Sequence, residues 1–461
     1  MASIRDVKMR GRFADLWDDA LSSLWFVPGL IVLAAFVLSL VIVAADRTFG
    51  PALLEQVPFL FGGTADAARS LLSTVAGSLV TVATLAFSVL IVALSQASAQ
   101  FTPRVLRNFM GDRGHQVVLG SYIGTFTYAL LVLREIRSPS EGGEAFIPAL
   151  AVTTVMVMTL CCMGLLVYFF HHAAQSLQVA TILQDVHDEV LGLTESLFPE
   201  DVAAPAHERE EVPATPPSTP PAEVRATGAG FLRSIDVEQL EHVANAEVYL
   251  VRVVSRIGDY VPRGAVIARI WATGSRSEER VDAVRRAFIF GRERTATQDA
   301  LFGIRQIADI GLKALSPGIN DPTTAEDALA HLGDIVGILA SRPFPPKLRV
   351  VGEPPTRFWI ERPDFAEMVA TAFGQIRQAA REHSHTLACL LGILAEVRTR
   401  ARDAERADAI CHEVREVLAQ LPNAPFTAAD RDLLRARAAS ILAVGRPVTV
   451  ERPDDSENLP G

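Results

Sequence analysis

The sequence predicts a mainly α-helical membrane protein with four transmembrane helices, followed by a cytosolic region with a small β-barrel-like module and a helical domain. Of the 461 residues, 49% are hydrophobic and only 21% are charged, which is too little charge for the surface of a soluble protein of this size. The apolar residues concentrate in four long uncharged stretches, and a Pro-rich segment separates these from a more polar C-terminal half. These observations favour a membrane domain joined to a soluble one.

Four stretches are long enough and apolar enough to span a bilayer. They comprise residues 24–45, 70–103, 114–133 and 145–184. The fourth is strongly apolar only to Phe170, and its helix is expected to continue as a polar extension to about Phe198. Because the spans contain no carboxylate or arginine, the pattern disfavours a proton-coupled carrier, which places such groups at mid-membrane.

The basic residues that flank the spans predict the orientation of the chain. Seven Lys or Arg precede span one or separate spans two and three, whereas four lie in the other two loops. This bias places both termini in the cytoplasm and predicts a multi-pass protein of the plasma or inner membrane. The net charge of −10 argues against a nucleic-acid partner, since such proteins present a basic surface.

Composition divides the chain into six segments. The Pro-rich stretch is too poor in apolar residues to form a core, so we expect an extended linker there. The expected segments are a cytosolic N-terminal segment (1–22), a four-span domain (23–198), the linker (199–230), a small β module (231–276), a helical domain (277–445) and a disordered tail (446–461). A hairpin is also expected within the helical domain, near Leu348 to Ile360.

The turn at residues 258–264 resembles the half-barrel motif of biotinyl and lipoyl carrier modules. Those modules carry their prosthetic group on a lysine at a hairpin tip. The whole chain has only Lys8, Lys313 and Lys347, and none lies in the β module. The resemblance therefore predicts a small structural barrel and no carrier function.

Span two contains a stripe of small and hydroxylated residues, which we call the polar stripe. Its members recur at a mean spacing of 3.5 residues, which keeps them on one side of a helix. They are Thr74, Gly77, Thr81, Thr84, Ser88 and Ser95. Such a stripe either packs against a partner helix, the commoner use, or lines a wet path when several copies surround an axis.

The cytosolic half offers one candidate ligand site. After Ser316, Pro317 and Gly318 end a helix, and Asp321 and Pro322 suit the N-cap and first position of the next one. Capping alone explains this pattern. The alternative is a polar ligand site at the helix N-terminus, formed by Arg294, Gln298, Asp299, Asn320 and Asp321.

The remaining polar clusters give no chemical signature. His171 and His172 end span four, and His187 follows with acidic neighbours, but a metal site there would need ligands from another helix. The side chain of His187 is expected on a solvated helix surface. No phosphate-binding loop, nucleophile elbow or zinc-protease motif is present, so we expect no enzyme, no metal and no cofactor.

Three segments together resemble the predicted membrane protein family DUF2254. They are Gln100-Phe-Thr-Pro-Arg-Val-Leu-Arg107, Gly124-Thr-Phe-Thr-Tyr-Ala-Leu130 and Ala314-Leu-Ser-Pro-Gly-Ile-Asn-Asp-Pro-Thr-Thr-Ala325. The similarity extends from about residue 20 to 440, with the Pro-rich insert as a local departure. Because the family has no assigned function, the resemblance implies the membrane topology and supplies no catalytic residues.

Two functional hypotheses remain open from the sequence. The first is an oligomeric ion channel in which the polar stripe lines the pathway and the cytosolic half gates or senses. The second is a membrane-anchored scaffold or sensor whose cytosolic domain binds a ligand or partner. The lipid bilayer and further copies of the chain are the expected partners in both.

Overall fold

The computed structural model divides the chain into two compact units, at residues 182 and 183. It describes residues 25–56, 60–100, 112–137, 146–176, 178–200, 220–243, 248–272, 278–351 and 356–443. The predicted N-terminal segment, most of the Pro-rich linker and the predicted tail therefore lie outside the described residues. We refer to the first unit as the membrane unit and to the second as the C-terminal unit.

The membrane unit consists of four long helices, α1 to α4. They are α1 (Phe26–Gln56), α2 (Ala65–Gln100), α3 (Arg113–Glu135) and α4 (Ala149–Ser176). Each is long and apolar enough to cross a membrane, which confirms the four predicted spans. The apolar cores of these helices coincide with the four uncharged stretches, because a span in lipid must avoid charge along its length.

Helix α3 is the most enclosed of the four spans. Half of its apolar window is buried, against 22% in each of the others, and it packs against all three. Gly120 and Gly124 face Ile31 of α1, where a Cβ at Gly120 would lie 2.8 Å from the Ile31 Cδ1 atom. These glycines let the two helices approach closely, as small residues do in membrane bundles.

Span one carries a buried carboxylate that the sequence analysis missed. Asp46 is 4% exposed, and its carboxylate accepts the backbone N–H groups of Leu150 at 3.0 Å and Ala151 at 2.8 Å. Asp46 lies one residue beyond the predicted end of span one, so the predicted spans contain no carboxylate, but helix α1 extends further and carries a buried one. Asp46 serves as a cap in trans, because the first turn of α4 has N–H groups with no partner within its own helix.

Helical structure follows the fourth span as far as Leu197, but in two helices instead of one. Helix α4 ends at Ser176, and a separate helix, α5 (Val179–Leu197), follows. From Leu183 onward α5 belongs to the C-terminal unit, where Val190 lies against Gly303. The apolar residues of α5 recur every three or four positions and are buried in that unit, so it serves as a core helix there.

Eight strands of the C-terminal unit form two small sheets. They are β1 (Ala222–Arg225), β2 (Gly230–Ile235), β3 (Val248–Val253), β4 (Tyr260–Val261), β5 (Val266–Ala272), β6 (Phe288–Gly291), β7 (Leu348–Val351) and β8 (Thr356–Trp359). The five-stranded sheet has the order β1-β5-β3-β8-β7 and the three-stranded sheet the order β4-β2-β6. All pairs are antiparallel except β3 with β8.

Neither sheet closes into a barrel in the described residues, so the predicted barrel-like module is not confirmed. The strands also extend beyond the predicted module. Strand β1 lies inside the segment predicted as linker, and β6, β7 and β8 come from the segment predicted as helical. The hairpin expected near Leu348 is present as β7 and β8. Pairing of these distant segments buries one common core under both sheets.

The helices of the C-terminal unit surround buried apolar faces. They are α6 (Val237–Val243), α7 (Glu278–Arg286), α8 (Ala300–Ala314), α9 (Pro322–Ser341), α10 (Phe365–Val369), α11 (Gln375–Ala379), α12 (Ser384–Thr399), α13 (Ala404–Gln420) and α14 (Ala428–Ala443). A π-helical turn (Ala370–Gly374) joins α10 to α11. Helices α8, α9 and α12 pack in sequence and form the centre of this helical layer.

His187 is buried between α5 and α9, contrary to the solvated surface expected for it. Its Nε2 atom lies 3.1 Å from an Asp334 carboxylate oxygen, and its ring meets that of His331 edge-on. The side chain of His187 is only 11% exposed. The expectation was wrong because α9, which provides the partner carboxylate, lies almost 150 residues further along the chain.

Arg406 closes the C-terminal end of α9. Its Nη1 donates to the carbonyl oxygens of Ala340 at 2.9 Å and Arg342 at 2.6 Å, and its guanidinium lies over the rings of Phe344 and Phe365. A charged donor that satisfies buried carbonyls stabilises more than a neutral one.

We expect Arg406→Ala to lower the free energy of unfolding of the C-terminal unit by about 2 kcal/mol, because two buried carbonyls lose their charged donor. The exposed neighbour Arg402 provides the control, and Arg402→Ala should change stability by less than about 0.5 kcal/mol. Urea titration of the full chain in detergent, followed by the fluorescence of Trp271 and Trp359, measures both. Equal midpoints for the two variants would contradict the role given to Arg406.

Candidate functional site

The polar stripe lies on the outer surface of the membrane unit. All six of its members are exposed in the single chain, and a Cβ added at Gly77 would meet open space. The stripe therefore contacts none of the chain's own spans. What covers it in the membrane is lipid, water or a second copy of the protein.

The opposite side of α2 provides its contacts within the unit. Ala68, Leu72, Ala76, Leu79 and Ala86 are all less than 6% exposed and lie on the side that packs against α3. At 100° per residue, the mean direction of this buried face lies about 170° from that of the polar stripe. The helix thus uses one face within its own chain and presents the other outward.

Four of the five hydroxyl groups of the stripe donate to the backbone of their own helix. Thr74, Thr81, Thr84 and Ser88 each donate to the carbonyl four residues earlier, at 2.8 to 2.9 Å. Because each of these hydroxyl groups donates its proton to a backbone carbonyl, the lone pairs of its oxygen remain available as acceptors on the outer side of the helix. From Thr74 to Ser95 the stripe extends about 32 Å, close to the thickness of the hydrocarbon core.

The predicted ligand site of the C-terminal unit contains an internal ion pair at the start of α8. Arg294 donates from Nε and Nη2 to the two carboxylate oxygens of Asp299, at 2.6 and 3.1 Å. Asp299 also caps α8 through the Phe302 N–H at 3.0 Å, and its side chain is only 4% exposed. Burial raises the pKa of Asp299, whereas Arg294 opposes that shift. This carboxylate is enclosed rather than open to a ligand.

Gln298 and Gly258 determine the structure around the ion pair of Arg294 and Asp299. Gln298 accepts the N–H of Ile235 at 3.0 Å, which ties the segment to strand β2. Gly258 has a φ of +91°, and a Cβ there would collide with the side chains of Arg294 and Asp299. Glycine is therefore required both by the backbone conformation and by the close approach of the ion pair.

Asn320 and Asp321 lie at the other end of α8. The Asp321 N–H donates to the carbonyl of Ala314, the last residue of that helix, and Asn320 has a left-handed φ of 49°. Asp321 caps α9 through the Thr324 N–H at 3.2 Å, which confirms the capping interpretation, and the Thr324 hydrogen bonds lower the pKa of Asp321. Because α8 is about 22 Å long, the five predicted residues do not converge on one ligand.

The structure does bring together a set of metal-binding side chains in the membrane unit, which we call the Asp–His cluster. It consists of Asp112, His115 and His172, and one ligand atom from each lies within 4.8 Å of the others. The His172 Nε2 is 2.7 Å from Asp112 Oδ2, and the His115 Nδ1 is 3.7 Å from the same oxygen. Asp112 and His115 flank the first turn of α3, and His172 lies near the end of α4.

The cluster was not predicted from the sequence, because His172 was grouped only with residues of its own helix. The other helix that a metal site needs is α3, whose Asp112 and His115 are three positions apart. One signal was available. Consecutive antiparallel spans place the start of span three and the end of span four at the same membrane face, so these residues could have been grouped there.

Four apolar helices packed as one unit define the chain as a multi-span helical membrane protein. It belongs to the family of predicted membrane proteins DUF2254, whose sequence model matches residues 21–396. The matched region includes both the polar stripe and the Asp–His cluster. The family resemblance inferred from three sequence segments is thereby confirmed.

Among known relatives, the chain is 34% identical over 402 residues to an uncharacterized protein of Mycobacterium tuberculosis and, equally, to one of Mycobacterium bovis. Each match covers 86% of this chain and 76% of the relative. No solved structure matches the chain.

Proposed function

We propose that the protein assembles in the membrane as an oligomeric channel in which the polar stripes of several α2 helices surround a pathway for small ions. The observation that carries this proposal is the position of the stripe, on the side of α2 that faces away from the other three spans. A second copy can therefore reach it without any change in the packing of the four spans.

The chemistry of the stripe suits a neutral, hydrated pathway. Its oxygens can accept hydrogen bonds from water or coordinate a partly dehydrated cation, as backbone and hydroxyl oxygens do in channels. Between Ser70 and Ser95 the helix has no charged side chain, so selection by a ring of charges is not part of this pathway. The stripe covers only about 80° of the helix, which leaves the flanks for contacts between neighbouring copies and lipid.

The alternative use of the stripe is packing between copies without a pathway. Small residues such as Gly77 allow close helix contact, and hydroxyl groups stabilise helix pairs modestly. Both uses require a second copy, so oligomerisation by itself does not distinguish them. Ion flux does.

The test measures release of K⁺ and Cl⁻ from loaded liposomes that contain the purified full-length chain. Thr81→Leu places apolar bulk on the stripe and should reduce flux at least roughly tenfold, because it blocks and dewets the pathway. Thr81→Val removes only the hydroxyl at nearly constant shape and should also reduce flux. Val80→Leu adds similar bulk about 100° away around the helix and should leave flux unchanged.

Each protein is also sized in detergent, so that loss of assembly is distinguished from loss of conduction. Unaltered flux in Thr81→Leu, with an intact oligomer, would contradict the lining role. No flux from the wild type, again with an intact oligomer, would leave the stripe as a packing surface between copies.

The proposed topology places both termini and the C-terminal unit in the cytoplasm of a plasma or inner membrane, where that unit could gate the pathway or sense a signal. The anchored sensor or scaffold remains the second hypothesis, and no enzymatic activity is proposed. The ligand site first suggested for it loses support, because Arg294 and Asp299 pair with each other and Asn320 lies at the far end of α8.

A further inference from the structure

The Asp–His cluster has the composition of a transition-metal site. Two imidazoles and one carboxylate are the ligand set that zinc and similar divalent ions prefer, whereas magnesium and calcium favour oxygen ligands alone. The ligands come from two helices, so an ion there would join the start of α3 to the end of α4.

The distances within the cluster are close to those that a bound ion requires. With metal–ligand bonds near 2.0–2.2 Å, tetrahedral ligand atoms lie about 3.4 Å apart. The His172 Nε2 to Asp112 Oδ2 distance of 2.7 Å would lengthen slightly, and the His115 Nδ1 to Asp112 Oδ2 distance of 3.7 Å would shorten slightly. The third pair, between the two imidazoles, is bounded by the 4.8 Å that encloses all three ligand atoms, so it would close by at most about 1.4 Å.

The surroundings hold these side chains in place. The ring of Tyr168 stacks on His172 at 5.3 Å and nearly parallel to it, and Phe169 meets His115 edge-on. A Cβ on Gly114 would lie 2.8 Å from the His172 Nε2 atom, so only glycine lets this imidazole approach the first turn of α3. These apolar neighbours limit the access of solvent to one side of the cluster, as the hydrophobic shell around a metal site does.

The cluster is enclosed on one side and open on the other. The side chain of His115 is 1% exposed, whereas those of Asp112 and His172 are 21% and 28% exposed. An ion could therefore enter from the open side, and three protein ligands would leave a coordination position for water.

We propose that Asp112, His115 and His172 form a binding site for a divalent transition metal of the zinc type, which ties the start of α3 to the end of α4. The site is independent of the proposed channel, since none of its residues lies on α2. In the metal-free protein, the Asp112 Oδ2 and His172 Nε2 atoms that would bind the ion are hydrogen-bonded to each other, whereas Asp112 caps α3 through its other oxygen, Oδ1.

The test uses the full-length chain in detergent, purified without an oligohistidine tag and treated with a chelator. Titration with Co²⁺ should give the visible absorption of a low-symmetry cobalt site that saturates at one ion per chain. Titration calorimetry with Zn²⁺ should give the same stoichiometry, and Zn²⁺ should raise the Tm of the membrane unit, because an ion that binds only the folded state stabilises it.

His172→Gln removes the metal ligand while its amide can still donate to Asp112, so the metal-free fold is preserved. We expect its Zn²⁺ affinity to fall roughly 100-fold or more, since loss of groups that merely support a ligand already costs 10- to 100-fold. Asp112→Asn keeps the cap of α3 and should weaken binding in the same way. His171→Gln changes the exposed neighbour and should bind as the wild type does.

Equal Zn²⁺ affinity in the wild type and in His172→Gln, or absence of a saturable site in the wild type, would overturn the proposal. If His171→Gln weakened Zn²⁺ binding and His172→Gln did not, the ion would bind at a surface histidine. The contact between Asp112 and His172 would then be an ordinary hydrogen bond. If His172→Gln failed to fold, Asp112→Asn would decide between these outcomes.

Discussion

Asp46→Ala is expected to destabilise the membrane unit by about 3 kcal/mol, more than the usual loss of a helix cap. The Asp46 carboxylate accepts two N–H groups of the first turn of α4, and it is buried beside the apolar core of the spans. In water a solvent molecule would replace such a cap, but in the bilayer each N–H left without a partner costs several kcal/mol.

The buried Cys162 of α4 provides the measurement. In a Cys161→Ser background, the rate at which a thiol reagent modifies Cys162 reports how often the unit opens. A loss of 3 kcal/mol corresponds to roughly a 100-fold faster modification. Asp46→Asn retains one acceptor and should give an intermediate rate.

Arg47 is the matched control for Asp46. It is adjacent in the chain, and its side chain is 56% exposed and paired with Glu135 near the surface. Because exposed ion pairs contribute little, Arg47→Ala should leave the modification rate within about twofold of the wild type. If Asp46→Ala behaved like Arg47→Ala, the carboxylate would have no capping role.

Asp46 also shows what the sequence cannot predict about a transmembrane helix. The first span was predicted to finish at Ala45, because a charged residue normally marks the edge of the hydrocarbon region. Whether a charged residue leaves the membrane or caps a neighbouring helix depends on where that neighbour begins, more than 100 residues later. The four spans follow from composition alone, but their mutual contacts require the packed structure.

The polar stripe could be predicted from the sequence because it depends on periodicity within one helix. Thr74, Thr81 and Ser88 lie on one side in any straight or gently supercoiled helix. The sequence could not say which face α2 uses toward its own bundle, since both faces are composed of small or apolar residues. The structure answers this, with Ala68 and Leu72 facing α3 and the stripe facing outward.

The ligand site predicted in the C-terminal unit shows a different limit of sequence reasoning. Arg294, Asp299 and Asn320 are close in the sequence and share polar chemistry, yet the 15-residue helix α8 separates the first two from the third. The Asp–His cluster shows the converse, because His172 is 60 residues from Asp112 and in direct contact with it. Proximity along the chain predicts caps well, but it predicts convergent sites poorly.

Glu413→Ala is expected to produce the largest loss of stability in the C-terminal unit, about 3–5 kcal/mol. The Arg377 Nε donates to Glu413 Oε2 at 3.0 Å, and the two side chains are 9% and 5% exposed. Removal of the carboxylate leaves a guanidinium buried next to the π-helical turn. The exposed Glu416, 3.6 Å from the same arginine, is the control, and Glu416→Ala should cost less than about 1 kcal/mol.

The same pair predicts a pH dependence. Burial raises the pKa of Glu413 above its ordinary value of 4.5, while Arg377 acts in the opposite direction. Just above pH 4.5 the folded state therefore binds more protons at this site than the unfolded state does, so this group makes the free energy of unfolding fall as the pH rises through that window. Glu413→Gln cannot titrate, and urea titrations of the full chain across the window should show a shallower fall than in the wild type. A wild-type stability that rises more steeply than that of Glu413→Gln would mean that Arg377 outweighs burial and that the pKa of Glu413 is lowered.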